Sequence, residues 1–224
     1  MTKIDFAKPT PTTKPAGLSN FKRPLVLATI FTALAGFLDA AAYIQLNHLY
    51  VSFMSGNSTH LGISLSTGSI SDVMAVLEIV AAFVLGASVG TWLSDRSKPG
   101  SILLTFSVET GLLMLAFLLA VTTHLEPALI IVAAAMGMQN SLHQLVAGAD
   151  VGKGFITGAL FSFGQSVARH QGYRALSNLF SWSVFVLGAA LGAISLVHIG
   201  LGACLAFALI TASVVLVMVA MKTL

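Results

Sequence analysis

Charge is what this sequence has least of. Asp, Glu, Lys and Arg together make up 8% of its 224 residues, against about a quarter in a soluble domain. So few charges cannot cover the surface of a chain this long, which excludes an ordinary water-soluble globule. Cysteine is nearly absent as well. Cys204 stands alone, so an intrachain disulfide is excluded, and one thiol cannot build a cysteine metal site. The strings that carry common chemistry are also missing. There is no G-x-x-x-x-G-K-[ST], no H-E-x-x-H, no G-x-S-x-G and no dinucleotide fingerprint. Phe occurs 14 times, but in no regular array that suggests a haem or quinone site. No cofactor and no ordinary enzyme activity are expected.

What fills the chain is apolar sequence, at 56% of residues and a mean hydropathy of +0.92. It comes in six blocks, at 25–46, 72–94, 101–123, 127–148, 176–197 and 200–221, each of 22 or 23 residues. At 1.5 Å per residue, a helix of that length crosses a hydrocarbon core of about 30 Å. Residues 1–24 are different: they hold four prolines and five basic residues with no apolar core. They read as a disordered tail rather than a cleaved signal peptide. Two further stretches, 52–68 and 154–168, are rich in Gly, Ser and Thr and too short or too polar for a full span. The fold class expected is therefore an all-α polytopic membrane protein. It has six transmembrane helices plus two short re-entrant or broken helices.

The net charge of +3 is explained by position. With six spans and a cytoplasmic N-terminus, all eleven Lys and Arg fall on the inner side: Lys3, Lys8, Lys14, Lys22, Arg23, Arg96, Lys98, Lys153, Arg169, Arg174 and Lys222. The basic balance is thus a topology signal, and no nucleic-acid partner is expected. Both termini are expected in the cytoplasm.

The chain also repeats itself. Gly36-Phe37-Leu38-Asp39 matches Gly137-Met138-Gln139-Asn140 at an offset of 101, flanked by Ile30 against Ile131 and Ala33 against Ala134. Ser55-Gly56 matches Thr157-Gly158 at an offset of 102, and so does Phe83-Val84-Leu85-Gly86-Ala87 with Phe185-Val186-Leu187-Gly188-Ala189. Each half reads as a long span, a short polar segment and two long spans. The halves are 25–124 and 125–224. Three crossings per half would turn the second over, giving an internal inverted-topology repeat of the kind many secondary transporters use. The two polar segments could then meet near the midplane.

These blocks resemble the DUF1275 (YoaK-like) family of bacterial membrane proteins. The residues that carry the resemblance are Gly36-Phe37-Leu38-Asp39-Ala40, Phe53-Met54-Ser55-Gly56-Asn57, Gly137-Met138-Gln139-Asn140 and Thr157-Gly158. The resemblance covers nearly everything after the tail. It implies a multi-span protein of the bacterial cytoplasmic (inner) membrane and says little about activity.

Candidate functional residues follow from cost. A carboxylate inside an apolar span must face protein, find partners or be protonated. Asp39 is one such residue, with Tyr43 four positions on along the same helix face. It reads either as a proton, cation or substrate site, or as a cap on the amides of a broken helix or a hydrogen-bond partner across the bundle. Ser55, Gly56, Asn57, Thr59 and His60 form a string that can expose backbone groups to a solute, or else pack a small-residue helix tightly. Thr157 and Gly158 would oppose that string from the second half, and Gln139, Asn140 and His143 crowd one stretch of the fourth block, as a polar site or as interhelical hydrogen-bonding groups. Glu78 and Glu109 are further proton-relay candidates. No histidine–carboxylate spacing forms a recognised metal motif, and no metal is expected. Gly86-x-x-x-Gly90 and Gly188-x-x-x-Gly192 suit close helix packing, between halves or in a homodimer.

The leading functional expectation is a transporter of a small polar solute or ion, with proton coupling through Asp39 as one mode. A channel of the same symmetry comes second. A non-transport scaffold or accessory subunit comes third, and an intramembrane enzyme fourth. The partners expected are the lipid bilayer and a small solute or ion.

Overall fold

The structure is a computed structural model. It describes residues 24–95, 100–151 and 156–223, with the side chains of 24–25, 142–151 and 222–223 left aside. The described residues are all helical or connecting. In chain order the helices are α1 (Pro24–Gln45), α2 (Met54–Thr67), α3 (Ile70–Ser94), α4 (Ser101–Val121), α5 (Leu125–Val151), α6 (Ile156–Ala168) and α7 (Gly172–Thr223). The expected tail lies outside the described residues except for Pro24, and so do Arg96, Lys98 and Lys153.

The helix count corrects the expectation of six spans plus two short helices. Among the described residues there are seven helices, and four are long and apolar enough to cross a membrane: Val26–Gln45, Ile70–Ser94, Ser101–Val121 and Gly172–Met221. Three of the blocks account for the difference. The blocks at 176–197 and 200–221 have no loop or proline between them, and both lie in the single element α7. Its one break is Gly200, at φ 81 and ψ 170, a conformation that glycine adopts without a Cβ clash. The chain folds back there. Phe37 of α1 meets Gly192 before the break and Phe207 after it, the latter ring to ring at 5.1 Å. The block at 127–148 lies in α5, which is not among the four. Its side chains are described only as far as Ser141, short of a full span.

The two short polar segments do form helices, α2 and α6. Gly68, at φ 72, ends α2 and lets α3 begin at Ile70. Helix α2 packs on α3, and α6 packs on α7.

The repeated residues meet across the two halves. The closest helix pairs are α1 with α7 and α3 with α5. A Cβ at Gly36 would overlap the carbonyl of Phe185, and a Cβ at Gly137 would overlap that of Phe83. In return, Gly188 and Gly192 press on Ala33 and Phe37, while Gly86 and Gly90 press on Ala134 and Met138. Every one of these contacts has its counterpart at the repeat offset, and each joins a helix of one half to a helix of the other. Both pairs run parallel, because residue numbers rise together along the two partners. The absence of side chains lets backbones approach closely, which is how helices gain dispersion energy where no hydrophobic effect acts between them. Ser141 adds hydrogen bonds to Thr91 (3.0 Å) and the Ala87 carbonyl (3.1 Å) at the end of the second pair. Both Gly-x-x-x-Gly faces are thus filled within the chain and offer no free homodimer face.

The central core fills the space between these pairs, from Leu38, Ala41 and Ala42 of α1 through Val76 and Ile79 of α3 to Leu129, Val132 and Ala133 of α5. Its size is set by the glycine contacts, so a single methyl there should be felt. Gly137→Ala should lower stability by about 1–3 kcal/mol through overpacking against Phe83. Gly164→Ala, where a Cβ meets open space, should not. Thermal unfolding in detergent checks the contrast, and equal melting temperatures for the two variants would refute the close-contact account.

Candidate functional site

The connection between α1 and α2, residues 46–53, is short and non-helical. The amides of Leu46, His48 and Leu49 bond backbone carbonyls, and two side chains take up those of Tyr50, Val51 and Ser52. Asp39 is 3% exposed, and its Oδ1 accepts hydrogen bonds from the backbone N–H of Val51 (2.9 Å) and Ser52 (2.7 Å). Its Oδ2 accepts from the Ser52 hydroxyl at 2.6 Å. Asn57 is fully buried and pairs with Tyr50 in both directions. Its Oδ1 accepts from the Tyr50 N–H (2.9 Å), and its Nδ2 donates to the Tyr50 carbonyl (2.7 Å).

Gly56 completes the clamp. A Cβ there would sit 2.7 Å from the Phe53 ring and 2.8 Å from the Tyr50 ring. Those rings belong to a run of aromatic contacts, Tyr43–Tyr50 at 5.0 Å and Tyr50–Phe53 at 5.3 Å between centroids. Burial pushes the Tyr50 phenol above its ordinary range, and Tyr43 and Asp39 add to the effect. The sharpest sequence string is therefore a clasp: Asp39 from α1 and Asn57 from α2 hold one linker between them.

Asp39 also lines a long cavity of about 570 Å³. One wall is the α1 face Ala28, Thr32, Ala35 and Asp39, and the linker residues Ser52 and Phe53 close the far end. Helix α5 contributes Gln139 and Asn140. The remaining wall is polar and comes from the second half: Ser162, Gln165 and Ser166 of α6, and Ser177, Asn178 and Ser181 of α7. From Ala28 to Asp39 the cavity runs ~16 Å along α1. Its mouth lies where α7 starts, at Arg169, Arg174 and Tyr173, the last 85% exposed.

Below the cavity wall sits a second buried acid. Gln139 Nε2 donates to Glu109 Oε1 at 3.0 Å, with Glu109 2% and Gln139 4% exposed. Asn140 bonds its own helix, at the Met136 carbonyl, 3.3 Å.

A second cavity of about 420 Å³ lies at the opposite end of α1. It is lined by Leu46, Asn47 and Leu49 of the same linker, by His60, and by the acids Asp72, Glu78 and Glu126. Glu78, expected inside a span, is exposed on this surface. His60 holds Ser64 through Nδ1 at 3.3 Å.

The structure gathers three of the sequence-selected residues, Asp39, Gln139 and Asn140, around one cavity. Tyr43 and Ser55 are exposed, Thr59 bonds the Ser55 carbonyl on the outside of α2, and Asn57 and Gly56 serve the clasp. His60 belongs to the other cavity. Thr157 is exposed and Gly158 half-buried at the start of α6, and neither lines the long cavity. The side chain of His143 lies outside the described residues. Sequence reasoning passed over Ser52 and the polar face of α7. A signal for the latter was present: Ser177, Asn178 and Ser181 recur at helical spacing inside an apolar block. Among the described residues, no three of His, Cys, Asp and Glu come together as metal ligands.

The family assignment follows from comparison with known proteins. Residues 27–219 match the family described as "Protein of unknown function (DUF1275)". The chain belongs to the DUF1275 family. It is 30% identical over 174 residues to a UPF0700 transmembrane protein of Rhizobium meliloti (strain 1021), covering 76% of this chain and 75% of that one. No solved structure matches. With its long apolar helices, the protein is a polytopic membrane protein, and a bacterial membrane is the setting its relative indicates.

The clasp makes its own prediction. Asp39→Ala leaves the amides of Val51 and Ser52 without acceptors, and should destabilise the protein by about 1–3 kcal/mol. Asn57→Ala should cost a similar amount. Because both hold one linker, the double variant should lose less than the two losses added together. Thermal or denaturant unfolding of the four proteins in detergent measures this, and strict additivity would show that the two contacts act independently.

Proposed function

We propose that this protein is a non-enzymatic membrane transporter of a small polar solute or ion. On this reading, both termini and the mouth of the long cavity face the cytoplasm. One observation carries it. Two cavities enter from opposite ends of α1, and a single linker, Leu46–Phe53, stands between them. A pathway closed at one point by a short pinned segment is what alternating access needs. A channel in its open state would need one continuous passage. A scaffold would use its polar side chains on one another, yet here Ser, Asn and Gln side chains line an open volume. That volume lies in the range that suits small-molecule sites.

The linker is suited to gating because side chains rather than a helix ladder hold its middle, Tyr50 to Ser52. Asp39 and Asn57 hold its backbone by side-chain hydrogen bonds, which can exchange for water or solute more readily than a helix ladder can open. Proton coupling fits here as well: a proton on Asp39 would weaken its acceptance of the Ser52 hydroxyl and the two amides.

The test uses the lone thiol. In a Cys204→Ser background, Ser177→Cys places a thiol in the long cavity and Ser71→Cys places one in the other. A membrane-impermeant maleimide should label Ser177→Cys only from the cytoplasmic side of oriented vesicles, and Ser71→Cys only from the opposite side. Labelling of either position from both sides would favour a channel. Protection of both from both sides would favour a scaffold.

A further inference from the structure

We infer that the mouth of the long cavity is an anion-recognition site, which takes a carboxylate or phosphate group on a small polar molecule through Arg169 and Arg174. The inference names the substrate class for the site proposed above, and rests on the reading of that cavity as a solute site. The wall carries three described charged side chains. Asp39 lies at the closed end, held by three hydrogen bonds. Arg169 and Arg174 lie together at the open end, five residues apart across the turn from α6 into α7.

Neither arginine is paired with a described carboxylate. The hydrogen bond described for Arg174 runs to the neutral Gln171 Oε1, at a long 3.4 Å. Both arginines are exposed at the same cavity mouth, where an anion would meet two positive charges and no described negative one. Each presents a planar fork of donors that matches two oxygens of a carboxylate or phosphate. Cavity walls of low dielectric focus the field of both charges on the entrance.

The wall beyond the arginines is chemically consistent. Ser177, Asn178 and Ser181 follow Arg174 within two turns of α7, and Ser162, Gln165 and Ser166 face them from α6. These groups donate and accept hydrogen bonds without charge, as hydroxyl and amide substituents of a solute require. Asp39 at the far end makes the floor unfavourable for an anion, so the acidic group stays at the mouth and the neutral or cationic end goes inward. The same anion chemistry could be met by a free solute or by the headgroup of an anionic lipid reaching in from the membrane.

The experiment is thermal unfolding of the purified full chain in uncharged detergent. The probes are inorganic phosphate and acetate, each compared with sodium chloride at equal ionic strength. At a tenfold excess over its Kd, a bound anion should raise the melting temperature by roughly 3–5 °C. Arg169→Gln combined with Arg174→Gln should abolish the shift. His170→Gln, an exposed residue between them that does not line the cavity, should keep it. If the double variant does not fold, each single variant carries the test, with a reduced shift expected.

Repeating the measurement in nanodiscs separates the two sources. Stabilisation by phosphate in phosphatidylcholine, with no gain from phosphatidylglycerol, identifies a free solute. Arginine-dependent stabilisation by phosphatidylglycerol identifies a lipid headgroup. Absence of any anion shift, or a shift that survives loss of both arginines, overturns the proposal. Failure here would leave the thiol-labelling result untouched, so the two readings fail separately.

Discussion

One carboxylate holding two backbone amides sets the shape of the first half of the molecule. The segment between α1 and α2 makes no helix, and its N–H groups cannot be left bare inside protein. Asp39 satisfies those of Val51 and Ser52 from one oxygen and the Ser52 hydroxyl from the other. That fixes where the linker runs. The linker then fixes where α2 begins, which brings Asn57 to Tyr50 and places Gly56 under two aromatic rings. The buried linker residues Leu49 and Val51 join the central core because the backbone on either side of them is already held. Both cavities take their inner limits from the same few residues.

The second constraint is closeness. Six glycines at repeat-related positions let α1 lie against α7, and α5 against α3, with backbones almost touching. Tight pairs of this kind are rigid, because any sliding forces backbone atoms to collide. The polar helix faces around the long cavity are therefore carried on two stiff frames, joined by α4, which packs on both α5 and α7, and by the contact of α1 with α5. Buried acids are placed accordingly. Glu109 reaches the cavity wall only through Gln139, across the α4–α5 contact, whereas Asp39 borders the cavity itself.

Much of this was legible in the sequence, at the level where one residue type has one physical use. An aspartate in an apolar block had to find donors, and glycines repeated at one offset had to be packing surfaces. The offset of about a hundred residues reappears as matched contacts. What could not be read was which partner each residue takes. Asn57 and Gly56 looked like lining for a solute and turned out to hold the linker, because a string of polar residues does not declare which way it faces. Block counting placed a loop between Val197 and Gly200, and Gly200 itself, at positive φ, makes the turn. The serines and asparagine of α7 were masked by the hydropathy of their neighbours. Their joint face emerges only when the helix is drawn and set against α6.

The exchanged packing has a consequence for how the protein is made. Gly36 is synthesised early, but the backbone it fits, at Phe185 and Ala189, comes about a hundred and fifty residues later. Likewise α3 waits for α5. A chain halted after α4 would hold α1 and α3 with their glycine faces open and no mate for either. Neither half is a folding unit. During insertion the early helices must remain in the membrane, or with whatever assists them there, until the last quarter of the chain arrives. Only then do the two pairs close, and with them the walls that enclose the cavity.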